Sequence, residues 1–221
     1  MNNPYHNILI TSGATIEPID DVRYIANHSS GKLGAHLALE ACKQGHGVTL
    51  LHGTHAKQPP FHPRLTLIPY KSTRDLEAKI QEFWVSSSIL IMAAAVADFT
   101  PQSGKVSGKL KKEENTSINL CSTKDLVASV AKNKRNHQRI LAFALETKEK
   151  LEDSAKEKLN RKSVDAIVAN PLQTMNSHEI EAIIYTASGE EYQPGVLSKL
   201  LFAKWLIKHL DIMLQIPPKS P

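Results

Sequence analysis

Residues 31–51 read GKLGAHLALEACKQGHGVTLL, in which a helical pattern gives way to a strand pattern. The apolar side chains of the first part fall on one face of a helix over residues 31–44: Leu33, Leu37, Ala38 and Ala41. Glycines at 45 and 47 end that helix, and the run VTLL at 48–51 follows as a strand. Because NILIT at 7–11 reads as an earlier buried strand, the segment predicts a βαβ unit.

The alternation continues along the rest of the chain. Further strands are predicted at 65–68, 89–94, 118–121, 140–145 and 165–169, and further helices at 73–85, 124–134, 147–162 and 195–214. Residues 99–115 read as a polar, lysine-rich loop, and residues 181–186 as a hairpin arm whose turn is Ser188-Gly189. This order predicts a Rossmann-like, doubly wound α/β fold, with a mainly parallel sheet, helices on both faces and a C-terminal hairpin and helix. We expect one domain over 1–221 with a frayed tail at 215–221.

Composition narrows the classes of partner. The longest apolar run, 89–97, is nine residues, whereas a membrane-spanning helix needs about 20, so we expect no membrane association. The start of the chain lacks a basic and apolar signal pattern, and the two cysteines have no metal-ligand or redox spacing, which predicts a cytoplasmic location. A net charge of +5 with only 5% aromatic residues favours small phosphorylated ligands over nucleic acid.

The segment 12–30 is too long for a plain connection from strand to helix, since such loops usually run about 2–6 residues. It leads into the helix start at Gly31, where free N–H groups and the helix dipole favour an anion. Ser29 and Ser30 add hydroxyl donors, and Gly34 allows the helix to lie close to the sheet. The alternative is that Ser30 only caps the helix and the glycines only aid packing.

The first turn is an incomplete dinucleotide fingerprint. Gly13 follows the first strand, but the third glycine of G-x-G-x-x-G is missing at the required spacing. The second strand, 48–52, also ends without an acidic residue for a ribose. These differences argue against an ordinary NAD-dependent dehydrogenase. In a doubly wound sheet the ligand lies beyond the carboxyl ends of the strands, which directs attention to the loops after Thr11, Ala94, Leu145 and Ala169.

Residues 13–32, GATIEPIDDVRYIANHSSGK, resemble the opening motif of the phosphopantothenate–cysteine ligase family, the phosphopantothenoylcysteine synthetases. The resemblance continues downstream in four short motifs: AAAVAD at 93–98, KLKK at 109–112, AFALET at 142–147 and DAIVAN at 165–170. Two positions depart from the family pattern, because Ala14 stands where a glycine is usual and Ile16 where an arginine is frequent. The flavoprotein decarboxylase domain that often precedes this ligase has no counterpart in the sequence, so we expect a stand-alone form.

The resemblance implies a ligase that joins 4′-phosphopantothenate to L-cysteine in coenzyme A biosynthesis. In the family's bacterial members CTP activates the carboxylate as an acyl-cytidylate, and the amine of cysteine then displaces CMP. The resemblance also implies a homodimer and Mg²⁺ held mainly by the triphosphate, with protein ligands that stay unassigned. The choice of CTP over ATP rests on this likeness alone. A non-catalytic nucleotide-binding module is the alternative function.

The resemblance also assigns residues. It implies catalytic roles for Asn27 and Lys109, and it implies substrate contacts for Asn27, His28 and Ser29. The nucleotide-binding residues that it implies are Gly13, Ser30, Gly31, Ala94, Asp98, Lys109, Phe143, Lys158 and Lys162. Residues 121–124 correspond to the segment that contacts the base, although their residue types differ from the usual ones.

Each assignment has a structural alternative. The alternative for Asp98 is a cap, for His28 an incidental exposed position, and for Lys111 and Lys112 a solvated loop. Without the resemblance, Lys158 and Lys162 read as half of a salt-bridge ladder with Glu157 and Asp153 on one helix.

Overall fold

A computed structural model describes residues 5–111, 116–174 and 177–216 of the chain. Its strands are β1 (Asn7–Ala14), β2 (Ile16–Pro18), β3 (Tyr24–Ala26), β4 (Gly47–Gly53), β5 (Leu65–Tyr70), β6 (Ile89–Ala95), β7 (Phe99–Pro101), β8 (Leu120–Ser122), β9 (Arg139–Glu146), β10 (Ala166–Pro171), β11 (Glu179–Glu181), β12 (Ile183–Thr186), β13 (Glu191–Tyr192) and β14 (Val196–Ser198). Its helices are α1 (Lys32–Lys43), α2 (Thr73–Trp84), α3 (Leu126–Lys132), α4 (Leu151–Lys162), α5 (Lys199–Lys208) and α6 (Leu210–Met213), with 3₁₀ turns at Lys148–Lys150 and Leu172–Thr174. Lys112, the end of the predicted loop 99–115 and the tail 217–221 lie outside the described residues.

The central sheet has eight strands in the order β13-β12-β10-β9-β6-β1-β4-β5. The six strands from β10 to β5 are parallel, and β12 and β13 add an antiparallel hairpin at the edge. The chain first builds the sheet outward from β1 to β5, and then returns to add β6 on the other side of β1. The predicted doubly wound, mainly parallel sheet is therefore confirmed. The order in which the chain adds strands reverses between β1 and β6, and doubly wound folds bind ligands at such a switch point.

Helices cover both faces of the sheet, as predicted. On one face α1 packs Leu37 and Ala41 against β1 and β4, and α5 packs on α1 and adds Phe202 to the same core. On the other face α2, α3 and α4 bury Leu76, Leu126 and Leu159. The central strand β6 begins with Ile89–Ile91 fully buried, because a parallel strand between two helical layers is apolar on both sides.

Several predicted boundaries were wrong. The segment 12–30 is not one loop, since β1 continues to Ala14 and β2 and β3 form a hairpin. The predicted loop 99–115 starts with β7, which pairs with β8. The C-terminal helix begins at Lys199 rather than at 195, because residues 196–198 pair with β11, and it breaks at His209.

Two further helix predictions were too long. The helix predicted from 147 opens with a 3₁₀ turn and becomes an α-helix at Leu151. The helix predicted at 124–134 spans only 126–132, since Asp125 caps it by accepting a hydrogen bond from the N–H of Ala128 at 3.1 Å.

Candidate functional site

A cleft of about 920 Å³ opens at the carboxyl ends of β6, β9 and β10 and at the start of α1. Ten of the residues that the sequence singled out line it: Asn27, His28, Ser29, Ser30, Gly31, Ala94, Asp98, Phe143, Lys158 and Lys162. The first five come from the segment before α1, and the others come from β6, its exit loop, β9 and α4. The topology therefore brings together most of the predicted site, although their individual roles stay predictions.

The start of α1 forms one wall of the cleft. Gly31 precedes the helix with a φ of 70°, and no side chain caps the first turn. The Ser12 hydroxyl donates to the carbonyl of Gly31 at 3.0 Å, and the N–H of Lys57 donates to the carbonyl of Ser30 at 2.9 Å. These bonds hold the approach to α1 between β1 and the loop after β4. Ser30 lines the cleft and does not cap the helix.

Gly13 does not line the cleft. It has a φ of 85°, and a Cβ on it would meet the Cβ of Ala56 at 2.5 Å. A Cβ on Gly31 would meet the same methyl group at 2.7 Å. Both glycines are thus required by backbone conformation and by close packing against the loop after β4. These contacts explain both glycines without a ligand, and the anion site at the start of α1 stays a prediction.

Gly34 allows α1 to lie directly on β1, as the sequence predicted. A Cβ on Gly34 would lie 2.3 Å from Oγ and 2.4 Å from Cβ of Ser12. We expect Gly34→Ala to lower the free energy of unfolding by about 1–3 kcal/mol, because the helix must move away from the strand. Denaturant unfolding would measure the change. Gly47→Ala is the matched control, since the closest atom to its Cβ would be the side-chain oxygen of Asn7 at 2.9 Å and no backbone atom would lie nearer than 3.9 Å. Equal losses in the two variants would contradict the packing argument.

Asn27 is anchored at the mouth of the cleft. Its Nδ2 donates to the carbonyl of Val96 at 2.9 Å, which links the segment before α1 to the exit loop of β6. Because the NH₂ group of the Asn27 amide is the donor in this bond, the side-chain oxygen of Asn27 is left as an acceptor. The side chain is exposed, so a ligand in the cleft can reach it.

The exit loop of β6 is held by the side chains of three threonines, a role that the sequence analysis did not assign to them. Thr11 Oγ1 accepts from the N–H of Ala94 at 3.1 Å, and Thr15 Oγ1 accepts from the N–H of Ala97 at 2.9 Å. On the far side Thr123 Oγ1 donates to the carbonyl of Ala97 at 2.5 Å. The loop that carries Asp98 is therefore fixed without using the Asp98 carboxylate, which lines the cleft.

Lysines of α4 form the opposite wall. Lys162 Nζ lies 2.9 Å from the carboxylate of Asp125, and Lys158 Nζ lies 3.7 Å from that of Glu146. Their partners thus come from the start of α3 and the end of β9, and the ladder with Glu157 and Asp153 is not formed. Burial raises the pKa of the Asp125 carboxyl, but the N–H of Ala128 and the Lys162 ammonium together hold it below its usual value. Both lysines line the cleft while they make these ion pairs.

The lining of the cleft is strongly basic. Six cationic side chains line it: Lys32, Lys124, Lys158, Arg161, Lys162 and Lys199. Two carboxylates do so, Asp98 and Asp125. A cleft with this excess of positive charge attracts phosphorylated ligands. Lys32, Arg161 and Lys199 were missed by the sequence analysis, because they lie on three helices whose starts and ends meet only in the folded chain.

Lys109 does not line the cleft. It is exposed in a loop that is attached to the β2–β3 hairpin, where Asp21 accepts a hydrogen bond from the N–H of Gly108 at 2.7 Å and pairs with Lys105. Asp20 also accepts from the N–H of Leu110 at 3.0 Å. The resemblance implies that Lys109 and the residues before α1 act on the same nucleotide, but this arrangement does not place Lys109 in the lining of the cleft. Its catalytic role would require the loop to move, or a second subunit.

The Asp20 side chain is the anchor of this loop. A side-chain hydrogen bond from Arg23 holds the pKa of the Asp20 carboxyl well below its usual value, against the opposing effect of burial, and the N–H groups of Val22, Arg23 and Leu110 contribute. An acid whose pKa is lowered by folding stabilises the fold above its unfolded pKa. Asp20 is therefore ionised and its hydrogen bonds are complete at neutral pH. Their contribution to stability is lost only as the pH falls from about 4, the ordinary pKa of an Asp, toward the lower pKa of Asp20 in the folded chain.

We expect Asp20→Asn to release the loop, because an amide nitrogen cannot accept the bond from Leu110 and the charge that binds Arg23 is lost. Trypsin cleavage after Lys105, Lys109 or Lys111 should accelerate about tenfold at neutral pH. Asp153→Asn, on the exposed face of α4, is the matched control. Equal cleavage rates in the two variants would show that Asp20 does not hold the loop.

Within the described ranges, no group of three or more His, Cys, Asp or Glu side chains is arranged to hold a metal ion. No helix in the same ranges is both long enough and apolar enough to cross a bilayer. Both cysteines are free, with Cys42 buried and Cys121 exposed.

Comparison with known proteins identifies the family. The family model described as "DNA/pantothenate metabolism flavoprotein C-terminal domain" matches residues 5–213. The chain is 34% identical over 203 residues to the coenzyme A biosynthesis bifunctional protein CoaBC of Escherichia coli K12, covering 88% of this chain and 49% of that protein. It is 38% identical over 166 residues to a cysteine/cysteine sulfinic acid decarboxylase of an unknown prokaryotic organism, covering 75% of this chain and 46% of that protein.

A solved structure is also similar. The crystal structure of the C-terminal domain of CoaBC superimposes with a TM-score of 0.79 at 31% identity, covering 95% of this chain and 96% of the other. The chain spans about half the length of the curated relatives that it matches. The match to residues 5–213, together with the shared fold, means that the chain belongs to the family of DNA/pantothenate metabolism flavoprotein C-terminal domains.

Proposed function

We propose that the chain joins 4′-phosphopantothenate to L-cysteine through an acyl-nucleotidylate, in coenzyme A biosynthesis. The observation that carries the proposal is the position of Asn27, held by Val96 at the mouth of a basic cleft. A nucleotide-binding module needs the cations, but it does not need an amide fixed where a substrate carboxylate would lie. Family membership and the likeness to a CoaBC domain support the same reaction.

The reaction has two chemical steps. A carboxylate oxygen of phosphopantothenate attacks the α-phosphorus of the nucleotide, and the bond to pyrophosphate breaks. The amine of cysteine then attacks the activated carbonyl carbon, an amide bond forms, and the nucleoside monophosphate leaves while the amine loses a proton. Activation replaces a poor leaving group with a good one, which divides one difficult step into two easier ones.

The cleft residues fit these steps. Lys158, Lys162 and Arg161 would neutralise the nucleotide phosphates, and the Asn27 amide would orient the carboxylate and the acyl intermediate. Phe143 and Ala94 would contact the nucleoside, and His28 and Ser29 would contact the substrate. Lys109 would stabilise the charge that develops on the leaving pyrophosphate.

The residues present also fit a nucleotide-bound Mg²⁺. Asp98 lines the cleft, and among the described residues its carboxylate has no hydrogen-bond or salt-bridge partner. Mg²⁺ is typically held by one or two carboxylates together with phosphate oxygens. Bound there, the ion would supply additional neutralisation of the triphosphate.

We also propose a homodimer. The β2–β3 and β7–β8 hairpins pack against each other and expose apolar side chains, with Val22 61% exposed, Tyr24 49% and Phe99 52%. A second copy covering these hairpins would bury them and would bring its own Lys109 loop near this cleft. Sedimentation of the wild type and of the double variant Tyr24→Lys/Phe99→Lys would test the proposal, since a dimer held by this surface should dissociate in the variant.

The free, exposed Cys121 fits a reducing compartment, and we propose a cytoplasmic location.

The deciding experiment is pyrophosphate release from phosphopantothenate, CTP and Mg²⁺, first without and then with cysteine. Release without cysteine is expected for acyl-nucleotidylate formation, and a stable nucleotide complex without release is expected for a binding module. No release with either CTP or ATP would rule out the ligase proposal. Thermal-shift measurements with CTP, ATP, UTP and GTP would identify the nucleotide, and we expect the largest shift with CTP.

A further inference from the structure

Lys199 is the first residue of α5, and its side chain lines the cleft beside Lys32 from the first turn of α1. Its position is fixed by the fold. The N–H of Lys199 donates to the carbonyl of His178 at 3.1 Å, and Ser198 caps the helix by accepting from the N–H of Leu201 at 3.2 Å. The fully buried Phe202, one turn later, holds α5 in the core cluster shared with α1. Lys199 therefore projects from a rigid helix.

The other cations of the cleft have acidic partners. Lys124 pairs with Glu77, Lys158 with Glu146, and Lys162 with Asp125. Arg161 lies 3.4 Å from Glu157. In the part of the chain that the structure describes, no carboxylate lies within salt-bridge distance of Lys32 or Lys199. These two ammonium groups are thus distinct among the six cations of the cleft.

Burial and repulsion act on this end of the cleft. Burial, and then the charge of Lys32, lower the pKa of the Lys199 ammonium. Burial lowers the pKa of His36 as well, with further contributions from Lys57, Lys199 and Lys32. Cations from α1, α5 and the loop after β4 therefore repel one another, and a bound anion would relieve that repulsion.

We propose that Lys199, together with Lys32, binds a phosphate group of a ligand in the cleft. The inference rests on the proposed function, which brings two phosphorylated ligands to the site, and it adds a phosphate-binding residue from the C-terminal helix. The chemistry recognised is a phosphate or polyphosphate oxygen, which belongs either to the nucleotide or to phosphopantothenate. An ammonium on a rigid helix needs little reordering to bind such a group.

Isothermal titration calorimetry on the full chain would test the proposal, with CTP, phosphopantothenate and inorganic tripolyphosphate as separate ligands. Lys199→Met keeps the apolar stem and removes the charge, whereas Lys199→Arg keeps the charge. Lys204→Met, exposed on the same helix and outside the cleft, is the matched control. We expect Lys199→Met to weaken at least one of the three ligands by about 10- to 100-fold, and the other two variants to stay within about threefold.

If Lys199→Met loses affinity only for CTP and tripolyphosphate, the site binds the nucleotide phosphates. If it loses affinity only for phosphopantothenate, the site binds the phosphate of that substrate. Both results support the proposal. Unchanged affinity of Lys199→Met for all three ligands would overturn it. If Lys199→Met unfolds, Lys199→Gln replaces it under the same criteria. Tripolyphosphate binding needs no catalysis, so a wild type that binds it through Lys199 but forms no product would contradict only the ligase function.

Discussion

Lys109→Ala is expected to slow pyrophosphate release from phosphopantothenate and CTP by about 100- to 1,000-fold, the loss typical when one stabilising group for a developing negative charge is removed. The ammonium would act mainly in the transition state, so kcat should fall much more than the affinity for CTP. Lys111→Ala is the matched control from the same loop, and it should stay within about threefold. Equal losses in the two variants would mean that the loop contributes only general positive charge.

Mixing variants would reveal which cleft Lys109 serves. In a mixed dimer of Lys109→Ala and Asn27→Ala subunits, a lysine that crosses to the partner would complete one site with an intact Asn27 and an intact Lys109. Partial activity is then expected. A lysine that reaches its own cleft would leave both sites defective, and mixing would restore nothing. The attachment of the loop to Asp20 and Asp21 makes this question necessary, since Lys109 does not line its own cleft.

Asn27→Asp is expected to lower amide formation by about 100-fold or more. The amide nitrogen donates to the carbonyl of Val96, and a carboxylate cannot donate there. The new negative charge would also repel the carboxylate of the substrate. Asn27→Ala removes the side chain without adding charge and should lose activity to a smaller extent.

Rapid-quench measurements would follow pyrophosphate release and amide formation separately in both variants. Asn136→Asp, exposed and outside the cleft, is the control for a change of charge alone. Thermal unfolding should be nearly unchanged, because Asn27 is exposed. Wild-type rates in Asn27→Ala for both steps would exclude the proposed role.

The strand and helix pattern was enough to predict the fold. Long apolar runs such as 89–94 and the amphipathic pattern of 31–44 each match a single type of element, and right-handed crossovers leave few ways to arrange them. Short strands were missed for the opposite reason. The β2–β3 hairpin contains Pro18 and two adjacent aspartates, which read as loop, and its three-residue strands have too few positions to show a period.

The site was predictable where a motif follows a strand directly. Asn27, Ala94 and Phe143 line the cleft because each lies at or near the carboxyl end of a strand, or before the helix that follows one. Lys199 lies more than 150 residues from Asn27 in the sequence, and only the packing of α5 on α1 brings it to the same cleft. The contacts of the lysines were equally hidden, since Lys162 finds Asp125 on another helix.

The methyl group of Ala56 occupies the space that a Cβ on either Gly13 or Gly31 would need. Gly13 lies near the end of β1, and Gly31 directly precedes α1. Side chains at positions 13, 31 and 56 would therefore occupy one small volume, so a larger residue at any of them affects the other two. Among natural relatives we expect covariation at this triplet, with any enlargement at 56 accompanied by a shift of the loop after β4. A variant library randomised at 56 alone should consequently recover only glycine, alanine and serine when selected for growth that depends on this chain.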